Sequence, residues 1–147
     1  MHSKADRHNS IIKIADSYGV ALMYLFGSQA EAGWHLLDGQ QPEASDPMSD
    51  LDLGVVFKGC LPSPKERPNL YGDLYIALAE IFSPFSLDLV LLQETHSVFQ
   101  ANAVCGECIY CSSPEFKESY EEEVMRRTAD FRPFLEKYLD EVIEEAL

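Results

Sequence analysis

Apolar and polar positions follow two periods along this chain, and the switches between them mark out its elements. Ile11, Ile12, Ile14, Ala15 and Tyr18 recur at helical spacing, with Gly19 placed to stop the helix. From Val20 to Phe26 the run is almost wholly apolar and bounded by glycines, a length that suits a buried strand. Gln29 to Leu37 reads as a short helix, and Asp38 to Ser49, with proline, glycine and small polar residues, as a loop. Leu51 to Phe57 is a second strand, given β character by Val55, Val56 and Phe57. After a proline-rich connector from Leu61 to Pro68, the spacing of Leu70, Leu74, Ile76-Ala77-Leu78 and Ile81 predicts a helix over about Asn69 to Phe82. Ser83-Pro84 stops it. Ser86 to Leu92 is a third strand, followed by a short helix over His96 to Val104 and a strand over Glu107 to Ser112.

The remainder reads as helix. Ser113 can cap it, Pro114 suits the first helical position and Glu115 lies favourably in the first turn. Pro133 is expected to kink or divide it. Phe134, Leu135, Tyr138, Leu139, Val142 and Ile143 form a broad apolar stripe, which could cover the sheet or join two copies in a homodimer. Helices alternating with buried strands predict an α+β fold: a mixed sheet of about four to five strands covered by helices, with a long C-terminal helix. The expected organisation is one domain over residues 1–147, with a C-terminal helical segment over about 113–147.

Composition sharpens this reading in one respect. A formal charge of −14, with 11 basic residues that cluster only at Arg126-Arg127, argues against a nucleic-acid backbone as principal partner. An acidic protein can still take a nucleotide if divalent cations stand between carboxylates and phosphates. The apolar runs are too short to span a bilayer and no charged leader opens the chain, so no membrane association and a cytoplasmic protein are expected. Cys105, Cys108 and Cys111 have knuckle spacing that Cys60 could complete as a zinc site. Without a second close pair, the simpler reading is that Cys105 ends a helix while Cys108 and Cys111 flank Ile109-Tyr110 in a strand. The histidines are uninformative: His2 and His8 lie near the terminus, and His35 and His96 lack companion ligands. Trp34 either lines a pocket near Gly27-Ser28 or, more simply, packs the short helix.

Three features carry chemistry. At Gly27-Ser28 a buried strand ends in a turn leading toward a helix, where backbone N–H groups and a hydroxyl can receive an anion. Asp50 and Asp52 stand two apart on a predicted strand and so project from one face, where a divalent cation would resolve their repulsion. Taken alone, an Asp-x-Asp is more often a turn residue and a solvated neighbour. Asp88 lies between leucines in another apolar strand, an expensive place for a carboxylate without a partner or a metal.

Together these residues resemble the nucleotidyltransferase superfamily typified by DNA polymerase beta, and most closely its minimal, single-domain (MNT) branch. Its pattern is a strand, Gly-Ser, a spacer, Asp-x-Asp on the next strand and a third Asp on a later one, matched here by Gly27-Ser28, Asp50-Leu51-Asp52 and Asp88. The resemblance extends through Gly106, Ile109-Tyr110 and the helix from Pro114, nearly the whole chain. It implies transfer of a nucleoside monophosphate, AMP from ATP, to a hydroxyl. Asp50, Asp52 and Asp88 would be catalytic and hold Mg²⁺, and Gly27 and Ser28 would bind the nucleotide. Minimal relatives pair as antitoxins with HEPN toxins, which some adenylylate on tyrosine, so a protein acceptor is implied. Two departures stand against full activity. The spacer from Ser28 to Asp50 is about twice the usual length, and Gln29 and Glu31 stand where relatives carry arginine, with Lys58 and Arg67 as remote substitutes. The rival expectation is therefore a binding module that neutralises its partner by docking alone.

Overall fold

The computed structural model describes residues 4–39 and 50–146, with side chains over 5–39 and 50–130. Its elements follow the periodicity closely: α1 (Lys4–Tyr18), β1 (Val20–Phe26), α2 (Ala30–Leu37), β2 (Leu51–Phe57), α3 (Arg67–Phe82), β3 (Leu87–Leu91), a 3₁₀ turn (Leu92–Glu94), α4 (Ser97–Val104), β4 (Glu107–Cys111) and α5 (Pro114–Ala146). The four described strands lie in the order β3-β2-β1-β4. β1 pairs antiparallel with both β2 and β4, while β2 and β3 run parallel, so the sheet is mixed as expected.

Strand position explains strand composition. β1 lies inside the sheet and is buried along its whole length, which is why its sequence is apolar without alternation. β3 is an edge strand and keeps the alternation of a half-covered one, with Leu87, Leu89 and Leu91 buried and Asp88 exposed.

Helices cover both faces. Ile11 and Ala15 of α1, Leu36 and Leu37 of α2, and Leu74, Leu78, Ile81 and Phe82 of α3 pack on Met23, Leu25, Leu51, Leu53, Val55 and Leu89. On the other face Leu22, Tyr24, Phe26 and Val56 form a second cluster with Leu92 and Ala103, flanked by Phe116 and Tyr120 of α5. Burying both faces of the central strands is the main source of cohesion here, since stabilisation scales with the apolar area removed from water. α2 comes so near the sheet that a Cβ at Gly33 would run into the methyl groups of Leu51 and Leu25, so a larger residue there requires those leucines to shift.

The second face is also tied by polar side chains. The Tyr24 hydroxyl donates to Glu121 Oε1 at 2.8 Å, and Lys117 pairs with the same oxygen at 2.9 Å. The Tyr120 hydroxyl donates to Gln100 Oε1 at 2.6 Å, while Gln100 Nε2 donates to the Thr95 carbonyl at 2.9 Å. Ser113 caps α5 as its sequence predicts, accepting from the Phe116 N–H at 3.2 Å.

Two expectations need amendment. Pro133 does not divide α5, which runs unbroken from Pro114 to Ala146. An internal proline removes a single N–H donor, and the hydrogen bonds on both sides carry a long helix past it. α3 begins at Arg67, earlier than its apolar pattern indicates, because Pro68 fits the first turn of a helix. The loop expected over Asp38 to Ser49 lies mostly outside the described residues, as do the side chains of the apolar stripe from Phe134 to Ile143.

Candidate functional site

The candidate site forms where β1 ends and β2 and β3 begin. Register sets its centre: Asp52 is paired with Phe26 on one side and with Asp88 on the other. The side chains facing the α1–α3 layer on these strands are Leu51 and Leu53, and Leu87 and Leu89. Strand alternation therefore turns Asp52 and Asp88 to the opposite face, the one covered by α4 and α5. Residues remote in sequence thus present neighbouring carboxylates.

Gly27 completes the centre. Its φ of +78° is a conformation that side-chain-bearing residues rarely adopt, and a Cβ there would collide with the Asp52 Oδ2. The turn thus lies directly against the Asp52 carboxylate. Ser28 is exposed beside it, and α2 starts two residues later at Ala30, leaving helix-start N–H groups at the turn. Asp50 is exposed just before β2, close enough to influence Asp52 electrostatically.

Partial burial, the nearby Asp88 carboxylate, hydrogen bonding with Asp88 and the charge of Asp50 together hold the Asp52 carboxyl above its ordinary range. All four causes disfavour a negative charge at Asp52, and no cation answers them: among the described residues neither Asp50, Asp52 nor Asp88 takes part in an ion pair. The expectation of a costly buried carboxylate at Asp88 is corrected here. Asp88 is exposed because β3 is the sheet edge, and the burial falls on Asp52, on the strand next inward.

Such a donor set fits a hard divalent cation, which prefers carboxylate oxygens and would relieve the crowding at Asp52. As the side chains stand, no three His, Cys, Asp or Glu among the described residues converge on one point. Asp52 and Asp88 form the fitting pair, and Asp50 is positioned to join by turning its exposed side chain.

Gln29, which stands where the resemblance places an arginine, is buried at 2% exposed and brings no charge to the turn. Neither remote cation replaces it. Lys58 follows the far end of β2, and Arg67 pairs with Glu94 at 3.2 Å beyond the far end of β3. Trp34 is 40% exposed on α2, which packs against the sheet face opposite the aspartates. Cys60 and Cys105 are exposed, Cys108 and Cys111 half-buried, and all four are free. Cys105 follows the end of α4, and Cys108 and Cys111 lie in β4, as the simpler reading has it. Burial raises the Cys108 thiol, the environment of an inert packing cysteine.

Comparison with known proteins bears on the same residues. A family model described as polymerase beta, nucleotidyltransferase matches residues 9–115. A toxin–antitoxin crystal structure with AMP-PNP is 19% identical over 92% of this chain and 98% of its own, with a TM-score of 0.66. The tri-AMPylated HEPN toxin of Shewanella oneidensis in complex with MNT antitoxin gives 18% identity, 95% and 98% coverage and a TM-score of 0.64. An MntA–HepT toxin–antitoxin structure gives 20%, 93% and 97%, and 0.60. At these identities the likeness is one of fold. No curated protein matches the chain by sequence.

Proposed function

The chain belongs to the polymerase beta nucleotidyltransferase family, and from that premise we propose that it transfers AMP from ATP to a hydroxyl on a protein partner of the HEPN-toxin kind. The observation that carries this reading is the placement of Asp52 against Asp88 and Gly27, with a phosphate-ready turn beside two crowded carboxylates. Neighbours of the same fold are toxin–antitoxin assemblies, one of them holding AMP-PNP and another containing an AMPylated toxin. The 147 residues act on this proposal as a single domain in the cytoplasm. No described helix is long and apolar enough to cross a membrane.

In the proposed reaction the acceptor oxygen attacks the α-phosphorus, the bond to the β-phosphate oxygen breaks, and pyrophosphate leaves. Gly27 and Ser28 hold the β- and γ-phosphates through backbone N–H groups and the serine hydroxyl. Asp50, Asp52 and, on the acceptor side, Asp88 would hold Mg²⁺, which would supply charge neutralisation for the triphosphate and the departing pyrophosphate. Asp88, the exposed member of the pair, lies on the acceptor side and takes the hydroxyl proton. Positioning and charge thus supply most of the rate, as in phosphoryl transfer generally.

Titration of MgATP into the full chain by calorimetry, beside an Asp50→Asn/Asp52→Asn variant, tests the site. Magnesium-dependent binding that disappears in the variant is expected, and no binding by either protein would rule the nucleotide site out. The second reading, neutralisation by docking alone, is favoured by Gln29, an uncharged and buried residue where the resemblance calls for an arginine beside the triphosphate. Under it, an Asp50→Asn/Asp52→Asn/Asp88→Asn variant would still neutralise its partner. Under the enzyme reading the complex persists but neutralisation is lost.

A further inference from the structure

The face of the sheet that carries Asp52 and Asp88 holds an aromatic ring to which the reaction above assigns no role. Phe99 of α4 is 39% exposed. It meets Phe26 edge to face, with ring centroids 5.6 Å apart and planes at 87°. Phe26 is the cross-strand partner of Asp52 and the residue immediately before Gly27. Phe26 packs in the cluster beneath α4 and α5, so it shares its face with Asp52 and Asp88. A single ring therefore separates Phe99 from both the carboxylate pair and the turn.

Two properties distinguish Phe99 from an aromatic left at the surface by chance. A T-shaped contact occupies at most one face of a ring, so at least one face of Phe99 is free of Phe26. The helix beneath it is also fixed. Gln100, the next residue, is bound at both ends of its amide, by the Tyr120 hydroxyl and by the Thr95 carbonyl. A ring held this way loses little conformational freedom when a second ring lies on it. Trp34, the other such exposed aromatic among the described residues, sits on the opposite layer with α2.

We propose that Phe99 is the platform on which the base of the nucleoside triphosphate stacks, with the phosphates on the Gly27-Ser28 turn. This deepens the nucleotide reading given above and rests on it. Stacking on a phenyl ring tolerates every base, so Phe99 contributes affinity for a heteroaromatic ring and leaves the choice among bases to other groups.

The test is calorimetry on the full chain with two probes, MgATP and magnesium tripolyphosphate, which share the phosphates but not the base. The proteins are wild type, Phe99→Ala, Phe99→Leu and Phe99→Trp. Leucine keeps an apolar contact with Phe26 while removing the aromatic face, so it guards against misfolding of the alanine variant. Wild type is expected to bind MgATP more tightly than tripolyphosphate. Alanine and leucine should weaken MgATP by about 5- to 150-fold, the range of a lost base–aromatic stack. Tripolyphosphate binding should not change, and tryptophan should retain MgATP. The platform is overturned, with the nucleotide site intact, if both ligands weaken equally or neither weakens in Phe99→Leu, or if wild type binds the two probes equally. Failure of wild type to bind either probe overturns the nucleotide reading itself, and the platform with it.

Discussion

At the residue scale the informative contrast is between Asp52 and Asp88, aspartates on adjacent strands and in register with each other. Asp88 sits on the edge strand and is exposed, whereas Asp52 sits one strand inward and its carboxyl is raised by burial, then by Asp88 and Asp50. A carboxyl raised in the folded state stabilises the fold below its unfolded pKa, and that contribution is lost as pH rises through the folded value. Metal-free wild type should therefore lose stability relative to Asp52→Asn as pH rises from about 4 toward 7, where unfolded carboxyls have already ionised. Because Asp52 is only partly buried and water still screens it, the difference should be no more than about 1 kcal/mol. Urea unfolding across that interval reads it directly. Parallel stability profiles for the two proteins would show that Asp52 and Asp88 do not repel each other as their register implies.

At the element scale the short α4 depends on its neighbours, since eight residues are too few for a helix to hold by itself. Gln100 supplies the tie: it is nearly buried, and its carbonyl accepts from the Tyr120 hydroxyl of α5. Tyr120→Phe should cost about 1–2 kcal/mol, because it strands a buried amide oxygen without its donor. In a chain of this size that lowers the melting temperature by about 2–8 °C. Adding Gln100→Leu should recover part of the loss, because it removes the stranded amide oxygen and leaves only the part-buried Thr95 carbonyl without its donor. A double variant less stable than the single one would mean that the Gln100 bond to Thr95 matters more than the link to α5. Element boundaries were legible in the sequence because they depend on local spacing: β1 and β2 occupy the residues their apolar runs predict. α3 and α5 were less so, since proline is compatible with more than one role near or within a helix.

At the scale of the whole molecule, charge is the governing property. A formal charge of −14 imposes self-repulsion on any compact form of the chain. Raising ionic strength from about 0.01 M to 0.15 M shortens the screening length from about 30 Å to 8 Å, so the melting temperature should rise with simple monovalent salt. Magnesium at matched ionic strength should add a further increment that Asp50→Asn/Asp52→Asn lacks. Thermal scans in sodium chloride and magnesium chloride separate the general effect from the specific one. An equal magnesium effect in both proteins would assign it to surface screening.

What the sequence determined by itself was local or family-bound: the apolar periods that set the elements, the mixed sheet they imply, and the Gly27-Ser28, Asp50-Leu51-Asp52 and Asp88 pattern that matches the nucleotidyltransferases. Only the tertiary structure decided register, which set Asp52 opposite Asp88, laid Gly27 against it and placed Phe99 one ring away. It also decided which aspartate bears the burial, and it carried Lys58 and Arg67 to the far end of the sheet. The physical reason is that periodicity is written between near neighbours, whereas register and burial arise from contacts between residues remote along the chain.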